Sequence, residues 1–250
     1  MQRKKGIHRF FEILFNELRG LIKLNLLFLA CVLPSAVIFL FGLFGFYSEI
    51  ALVVSLMAAF PIGGAIVSYV FCITRMFRDE SGYIWEDFKR KFKENIRQAA
   101  LPGILCAAFV YAQVYLWGSF LFGGEGVDAV WIIPGVGFLL VFGMVTPYFF
   151  LQIAYIDLNT KKIVINSLLL SFANALRSVI GAVIGGAVWV AYILFMPESF
   201  VVTPILLIIG FSFSWLLNLM WVWPPVNKQF KIEEVLRERN HGRTGDRDGA

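Results

Sequence analysis

Six long apolar runs divide this chain, at about 24–46, 50–73, 99–122, 130–156, 179–196 and 203–223. About 20 mainly apolar residues, wound as a helix, cross the hydrocarbon core of a bilayer. The pattern therefore predicts an all-α integral membrane bundle of six transmembrane helices, one multi-pass domain over residues 1–235. Three amphipathic stretches lie between or before the runs. In 7–22, Ile7, Phe10, Leu14, Leu18 and Leu21 recur at helical spacing, with Arg3, Lys4, Lys5, Arg9, Arg19 and Lys23 around them. In 83–98 the apolar stripe is Trp85, Phe88, Phe92, Ile96 and Ala99, and Lys89, Arg90, Lys91, Lys93 and Arg97 fill the other positions. In 161–177 the stripe is polar: Ser167, Ser171 and Asn174, continuing to Ser178, run through an apolar helix beside Arg177. All three read as interfacial elbow helices leading into the next span. The polar tail, 236–250, is expected to be disordered.

Charge orients the spans. Of the 22 Lys and Arg, six fall in the first 23 residues, seven in 74–98, three in 157–177 and six after Trp223. The other three connections carry only Glu49, Glu125, Asp128 and Glu198. Cationic residues concentrate in cytoplasmic loops, so both termini are expected in the cytoplasm. The net charge of +5 is then a lipid-facing feature, with each cation near anionic headgroups worth about 1 kcal/mol, and nucleic acid is not an expected partner. At 59% hydrophobic the chain exceeds the roughly 45–50% of soluble domains. No small-residue cleavage site follows the first run, so it is expected to remain in the mature protein.

Small and ring residues punctuate the spans. Pro34, Pro61, Pro102, Pro134 and Pro147 offer places to bend, and the fourth run is long enough to tilt. Gly181 and Gly185 form a GxxxG face, extended by Ala182 and Gly186, that suits close helix packing inside the bundle. The spacing F-x4-R occurs at Phe92–Arg97 and again at Phe172–Arg177, with Asn95 and Asn174 inside it. This faint echo is compatible with a parallel two-fold repeat.

Catalytic patterns are missing. The sequence has no HExxH, GxSxG or GxxxxGK[ST], and the span interiors hold no acids for a proton relay. Cys31, Cys72 and Cys106 fall in separate spans without CxxC spacing and read as small apolar fillers. Neither a cofactor nor a metal is indicated, and an enzyme is not expected. The spans do hold four amides, Asn25, Gln113, Gln152 and Asn218. An unpaired amide in hydrocarbon costs several kcal/mol, so each should bond across helices or line a polar cavity. Asn25 and Asn218, both near inner span ends, are placed to meet there. Arg75, Arg78, Asp79, Glu80, Glu86 and Asp87 form a mixed-charge cluster at the exit of the second span, a pattern that usually means solvated ion pairs.

Two runs carry a resemblance. Leu24-Asn25-Leu26-Leu27 followed by Cys31-Val32-Leu33-Pro34, and Arg78-Asp79-Glu80-Ser81-Gly82-Tyr83 followed by Phe88, Phe92, Lys93, Asn95 and Gln98, resemble the YesL-like bacterial membrane proteins. The likeness is strongest over residues 10–105. It implies a small multi-pass protein of the bacterial plasma membrane, of a family with no established catalytic residues. The family's genes often neighbour carbohydrate importers and polysaccharide-degrading enzymes. Two functions are therefore expected alternatives. One is a non-enzymatic accessory protein of a carbohydrate importer complex, docking through a cytoplasmic surface of Arg78, Asp79, Tyr83, Trp85, Phe88, Phe92 and Asn95. The other is a small solute transporter or channel, with Asn25, Gln113, Gln152 and Asn218 lining its cavity.

Overall fold

The computed structural model describes residues 7–43, 45, 48–80, 82–122, 129–195, 202–236 and 238. Among them the chain forms helices and no strand. In order these are α1 (Ile7–Asn16), α2 (Leu18–Leu43), α3 (Ser48–Ala58), α4 (Phe60–Phe77), α5 (Ile84–Phe122), α6 (Ile132–Tyr155), α7 (Thr160–Ala173), α8 (Ala175–Phe195), α9 (Val202–Ile205) and α10 (Phe211–Phe230). A short 3-10 turn (Ala129–Trp131) leads into α6, and a π turn (Leu206–Gly210) joins α9 to α10. The described residues contain six helices long and apolar enough to cross a membrane: α2, α4, α5, α6, α8 and the continuous Val202–Phe230. The protein is a multi-pass, all-α membrane bundle. The connection that carries Glu125 and Asp128, 123–128, lies outside the described residues, and so does the tail expected at 236–250, apart from Leu236 and Glu238.

Several elements differ from the periodicity reading, each for a local reason. The second run is split. Pro61 has no N–H and its ring crowds the carbonyl four residues back, so the chain breaks at Ala59 and α3 is a separate, mainly apolar helix. The stretch 83–98 is not an elbow: it is the first part of the 39-residue α5, continuous with the third span and about 58 Å long. Pro102 sits inside α5 without ending it. Likewise Pro224 and Pro225 sit inside the last helix, which runs on to Phe230 and stops at Lys231 in the left-handed conformation (φ 48°). The other two elbows do exist as separate helices. α1 is divided from α2 at Glu17, and α7 from α8 at Asn174; α7 is capped by Asn159, whose side chain accepts from the Lys161 N–H at 3.3 Å.

α4 is the core element. Fourteen of its eighteen residues are buried. It lies against the first half of α5, where Gly63 meets Ala99 and Gly103, and Gly64 meets Phe92 and Ile96. Here backbones touch because no Cβ stands between them. Around it, α2, α6 and α10 close the core through Phe28, Tyr148, Phe150, Leu216 and Leu219. The outer faces of α2, α3, α5 and α8 expose Leu33, Phe41, Val53, Leu101, Leu105 and Val183. In water such a surface would be an aggregation hazard; in a bilayer it is the lipid contact.

The GxxxG face packs internally. Gly181 and Gly185 of α8 lie against Ser214, Asn218 and Trp221 of α10, while Gly186 faces open space. The F-x4-R echo has no structural counterpart. Phe92 packs beneath Gly64 inside an unbroken helix, whereas Phe172 is exposed at the end of α7 and Asn174 breaks the chain before Arg177.

Candidate functional site

At the end of the bundle that holds α1 and the α4–α5 turn, the mixed-charge residues form a fitted network. Arg78, at the end of α4, is only 5% exposed. Its guanidinium forks onto Glu80, with Nε–Oε1 at 2.7 Å and a second bond to Oε2 at 2.9 Å. It also donates to the Tyr155 hydroxyl at 2.7 Å, which meets Thr74 Oγ1 at 2.6 Å. The same cation lies 5.2 Å from the Tyr155 ring and 5.6 Å from that of Trp223. Planar, delocalised charge suits both the fork and the stacking. Burial alone would lower the Arg78 pKa, but Glu80 and Tyr155 outweigh it and the group is held more firmly charged than a free guanidinium. One side chain thus ties the α4–α5 turn to α6 and α10.

Two further pairs complete the network. Arg75 binds Asp87 of α5 and reaches the Glu80 carbonyl at 3.4 Å; Asp87 also accepts from Arg90 at 2.7 Å. Gly82 passes directly under Arg75, where any Cβ would overlap the guanidinium. Arg9 of α1 caps α4, donating to the Met76 and Phe77 carbonyls at 3.3 Å and to Asp79 and Glu12. Burial opposes the Arg9 charge, but the two carboxylates raise its pKa above the usual value. Asp79 holds a left-handed backbone (φ 57°) that turns the chain toward α5. A cavity of about 270 Å³ opens here, lined among others by Glu17, Arg75, Asp79, Glu80 and Asp87. The pairs made by Arg75 and Arg78 are not the solvated kind expected from the sequence, because Arg75, Arg78 and Asp87 are largely withdrawn from solvent, whereas Asp79 in its pair with Arg9 stays exposed.

The run Arg78–Gln98 therefore works as a structural clasp. Phe88 is buried and stacks with Phe92, ring centroids 6.2 Å apart, facing α4. Asn95 donates back to the Lys91 carbonyl at 2.9 Å, and Gln98 to the Leu158 carbonyl at 2.8 Å, binding α5 to the α6–α7 connection. As a docking surface the expected set is corrected: Arg78 and Phe88 are interior, and Phe92 and Asn95 are half-buried. Tyr83 (77% exposed) and Trp85 (60%) stand free at the start of α5, while Asp79 is exposed but paired with Arg9. Lys89, Lys93 and Arg97 continue the exposed face beyond Trp85.

The four intramembrane amides are not brought together. Asn25, wholly buried, spans the π turn of the last helix: its Nδ2 donates to the Leu207 carbonyl at 2.6 Å and its Oδ1 accepts from the Ser212 N–H at 3.0 Å. Asn218 lies against Gly181 and Gly185 instead of meeting Asn25. Gln113 accepts from Trp117 on its own helix at 3.0 Å. Gln152 donates to Ser167 of α7 at 2.8 Å. Three buried acceptors, Gln152 Oε1, Asn218 Oδ1 and Ser214 Oγ, have no hydrogen-bond partner among the described residues.

Hydroxyls carry polar contacts that the amides alone do not reveal. Ser35 Oγ meets Tyr111 OH and donates to the Ser55 carbonyl at 2.6 Å, joining α2, α3 and α5. Tyr69 OH donates to Ser212 Oγ at 2.6 Å, and Ser212 Oγ to the Leu21 carbonyl at 2.8 Å. Ser178 Oγ donates to the Ser171 carbonyl at 2.9 Å and lies 3.1 Å from Tyr148 OH, within hydrogen-bond reach. Tyrosines inside apolar spans were the available signal, since a buried phenol finds a partner. No family model, curated protein or solved structure matches the chain.

Proposed function

We propose that this protein is a non-enzymatic accessory protein of the bacterial plasma membrane, of the YesL-like kind, that associates with a carbohydrate importer. Both termini and the clasped end face the cytoplasm in this reading, following the one-sided distribution of Lys and Arg. The observation that carries it is the exposed Tyr83–Trp85 pair at the head of α5. Aromatic side chains on a rigid, basic helix are the kind of anchor that interfaces use. The Arg75–Asp87 pair ties the head of that helix to α4, so Trp85 is presented from a helix held against the core. The likeness over residues 10–105 supplies the importer as partner class. Extraction in mild detergent and affinity recovery should bring importer subunits with the protein, and Trp85→Ala should reduce their recovery severalfold. Recovery of the protein alone, before and after the substitution, would refute the reading.

A transporter or channel is the second reading. The unpartnered acceptors Gln152 Oε1, Ser214 Oγ and Asn218 Oδ1 favour it, because buried polar atoms left open are places for water or solute. The separation of the four amides argues the other way. Flux of sugars or ions into proteoliposomes holding the purified protein decides between them.

A further inference from the structure

The last helix carries a π turn at Leu206–Gly210, with ordinary α geometry on both sides at Ile205 (φ −61°, ψ −45°) and Phe211 (φ −64°, ψ −43°). A π turn holds one residue more than an α turn and is costly unless something supports it. Leu207 C=O and Ser212 N–H are five positions apart, the two groups that a π turn sets opposite each other. The Asn25 carboxamide bridges this pair from α2, donating to one and accepting from the other. Ser212 is fastened a second time by its hydroxyl, to the Leu21 carbonyl of α2 and to Tyr69 of α4. Asn25, Tyr69 and Ser212 are all fully buried. Apolar surroundings make these bonds expensive to leave unmade.

We infer that Asn25 is a register clamp: its amide holds Leu206–Gly210 in the π conformation, and its withdrawal lets this turn rewind as α-helix, turning Val202–Leu206 by about 100° relative to α10. α2 begins directly after the break at Glu17, and α1 is anchored to the end of α4 through Arg9. A displacement of α1 and α2 at the clasped end therefore reaches the far part of the last helix through one side chain. The faces that would exchange are defined. Pro204 and Ile205 are exposed now, whereas Leu206 is half-buried. On rewinding, each upstream residue takes the angular place of the one before it, so exposure moves from 204–205 to 205–206.

The test uses single cysteines at position 204 or 206, labelled with bimane, in the full-length protein with Cys31, Cys72 and Cys106 replaced by alanine. The labelled protein is placed in bilayers containing brominated phosphatidylcholine. Asn25→Leu should raise lipid quenching at position 206 and lower it at position 204, each by about twofold for a one-residue turn of the helix. Unchanged quenching at both positions overturns the clamp. Where Asn25→Leu does not fold by itself, deletion of Ile208 decides. Deletion should harm the parent, whose amide then faces a helix without the extra residue, and should restore thermal stability to the Asn25→Leu chain. Equal harm in both backgrounds overturns the proposal.

Discussion

Gly63 and Gly103 press the backbones of α4 and α5 together: a Cβ on Gly103 would overlap the Gly63 amide nitrogen, and one on Gly63 would overlap the Ala99 carbonyl and stand 3.1 Å from Gly103 Cα. No side chain at this crossing can move aside, so the strain of added bulk falls on two helices at once. Gly63→Ala or Gly103→Ala should each destabilise by about 3 kcal/mol, the upper end for overpacking. Gly118→Ala and Gly137→Ala meet open space and should stay within about 0.5 kcal/mol. Thermal unfolding in detergent, followed by a thiol-reactive dye on the buried Cys72, reads all four.

The amides separate by what their loss leaves behind. Asn25→Leu removes the bonds to the Leu207 carbonyl and the Ser212 N–H, which are then either stranded or re-paired only by rewinding the π turn, and should cost about 2–4 kcal/mol. Gln152→Met removes an amide whose Oε1 is already unpartnered, and Ser167 keeps its bond to the Ile163 carbonyl at 2.7 Å. That exchange should lie within about 1 kcal/mol of neutral. Equal losses from both, in the same unfolding measurement, would contradict the assignment of Asn25 as the structural amide.

Arg78 tests the clasp. Lysine keeps the charge but offers neither the fork to Glu80 nor the flat face for Tyr155 and Trp223. Arg78→Lys should therefore destabilise by about 2 kcal/mol, and Arg78→Ala, which removes the fork from Glu80 and the donor from the Tyr155 hydroxyl, by about 3 kcal/mol. Breaking the more exposed Arg9–Asp79 pair should cost under about 1 kcal/mol. The two effects also divide by ionic strength: raising salt should weaken only the exposed pair.

Asp79 should be judged by its backbone. Its φ of 57° lies where asparagine and glycine are comfortable and β-branched residues are not. Asp79→Asn should lose only the ion pair with Arg9, whereas Asp79→Val should cost about 1–2 kcal/mol more. Similar unfolding midpoints for the two variants would rule out the left-handed turn as the reason for an acid at this position.

Hydropathy and charge were enough to read the six apolar helices and the clustering of cations in four segments, because lipid imposes those patterns on every spanning chain. Breaks and continuities were harder. Pro61 ends a helix while Pro102, Pro147, Pro224 and Pro225 sit inside others, and only the neighbouring helices decide which outcome holds. The stripe Trp85–Phe88–Phe92–Ile96 is helical as its spacing predicts, but its members part company: Phe92 and Ile96 pack on Gly64 of α4, whereas Trp85 is exposed. That division depends on tertiary contacts that spacing does not contain. The charge cluster was visible as composition, but its burial was not. Arg78 is enclosed by Tyr155 and Trp223, which are 77 and 145 positions away along the chain. The π turn left no sign at all in Leu206–Gly210; its support comes from other helices, from Asn25 and from the contacts of Ser212 with Leu21 and Tyr69.

Sidedness tests the account most directly, since the clasp, the Tyr83–Trp85 anchor and the proposed partner all require the basic segments to share one face of the membrane. Single cysteines at Lys89, at Glu125 and near the C-terminus, in a chain without its three native cysteines, can be probed on intact cells with a membrane-impermeant maleimide. The account predicts labelling at position 125 from outside, and at position 89 and the C-terminus only after the membrane is opened. Labelling of positions 89 and 125 from the same side would contradict it.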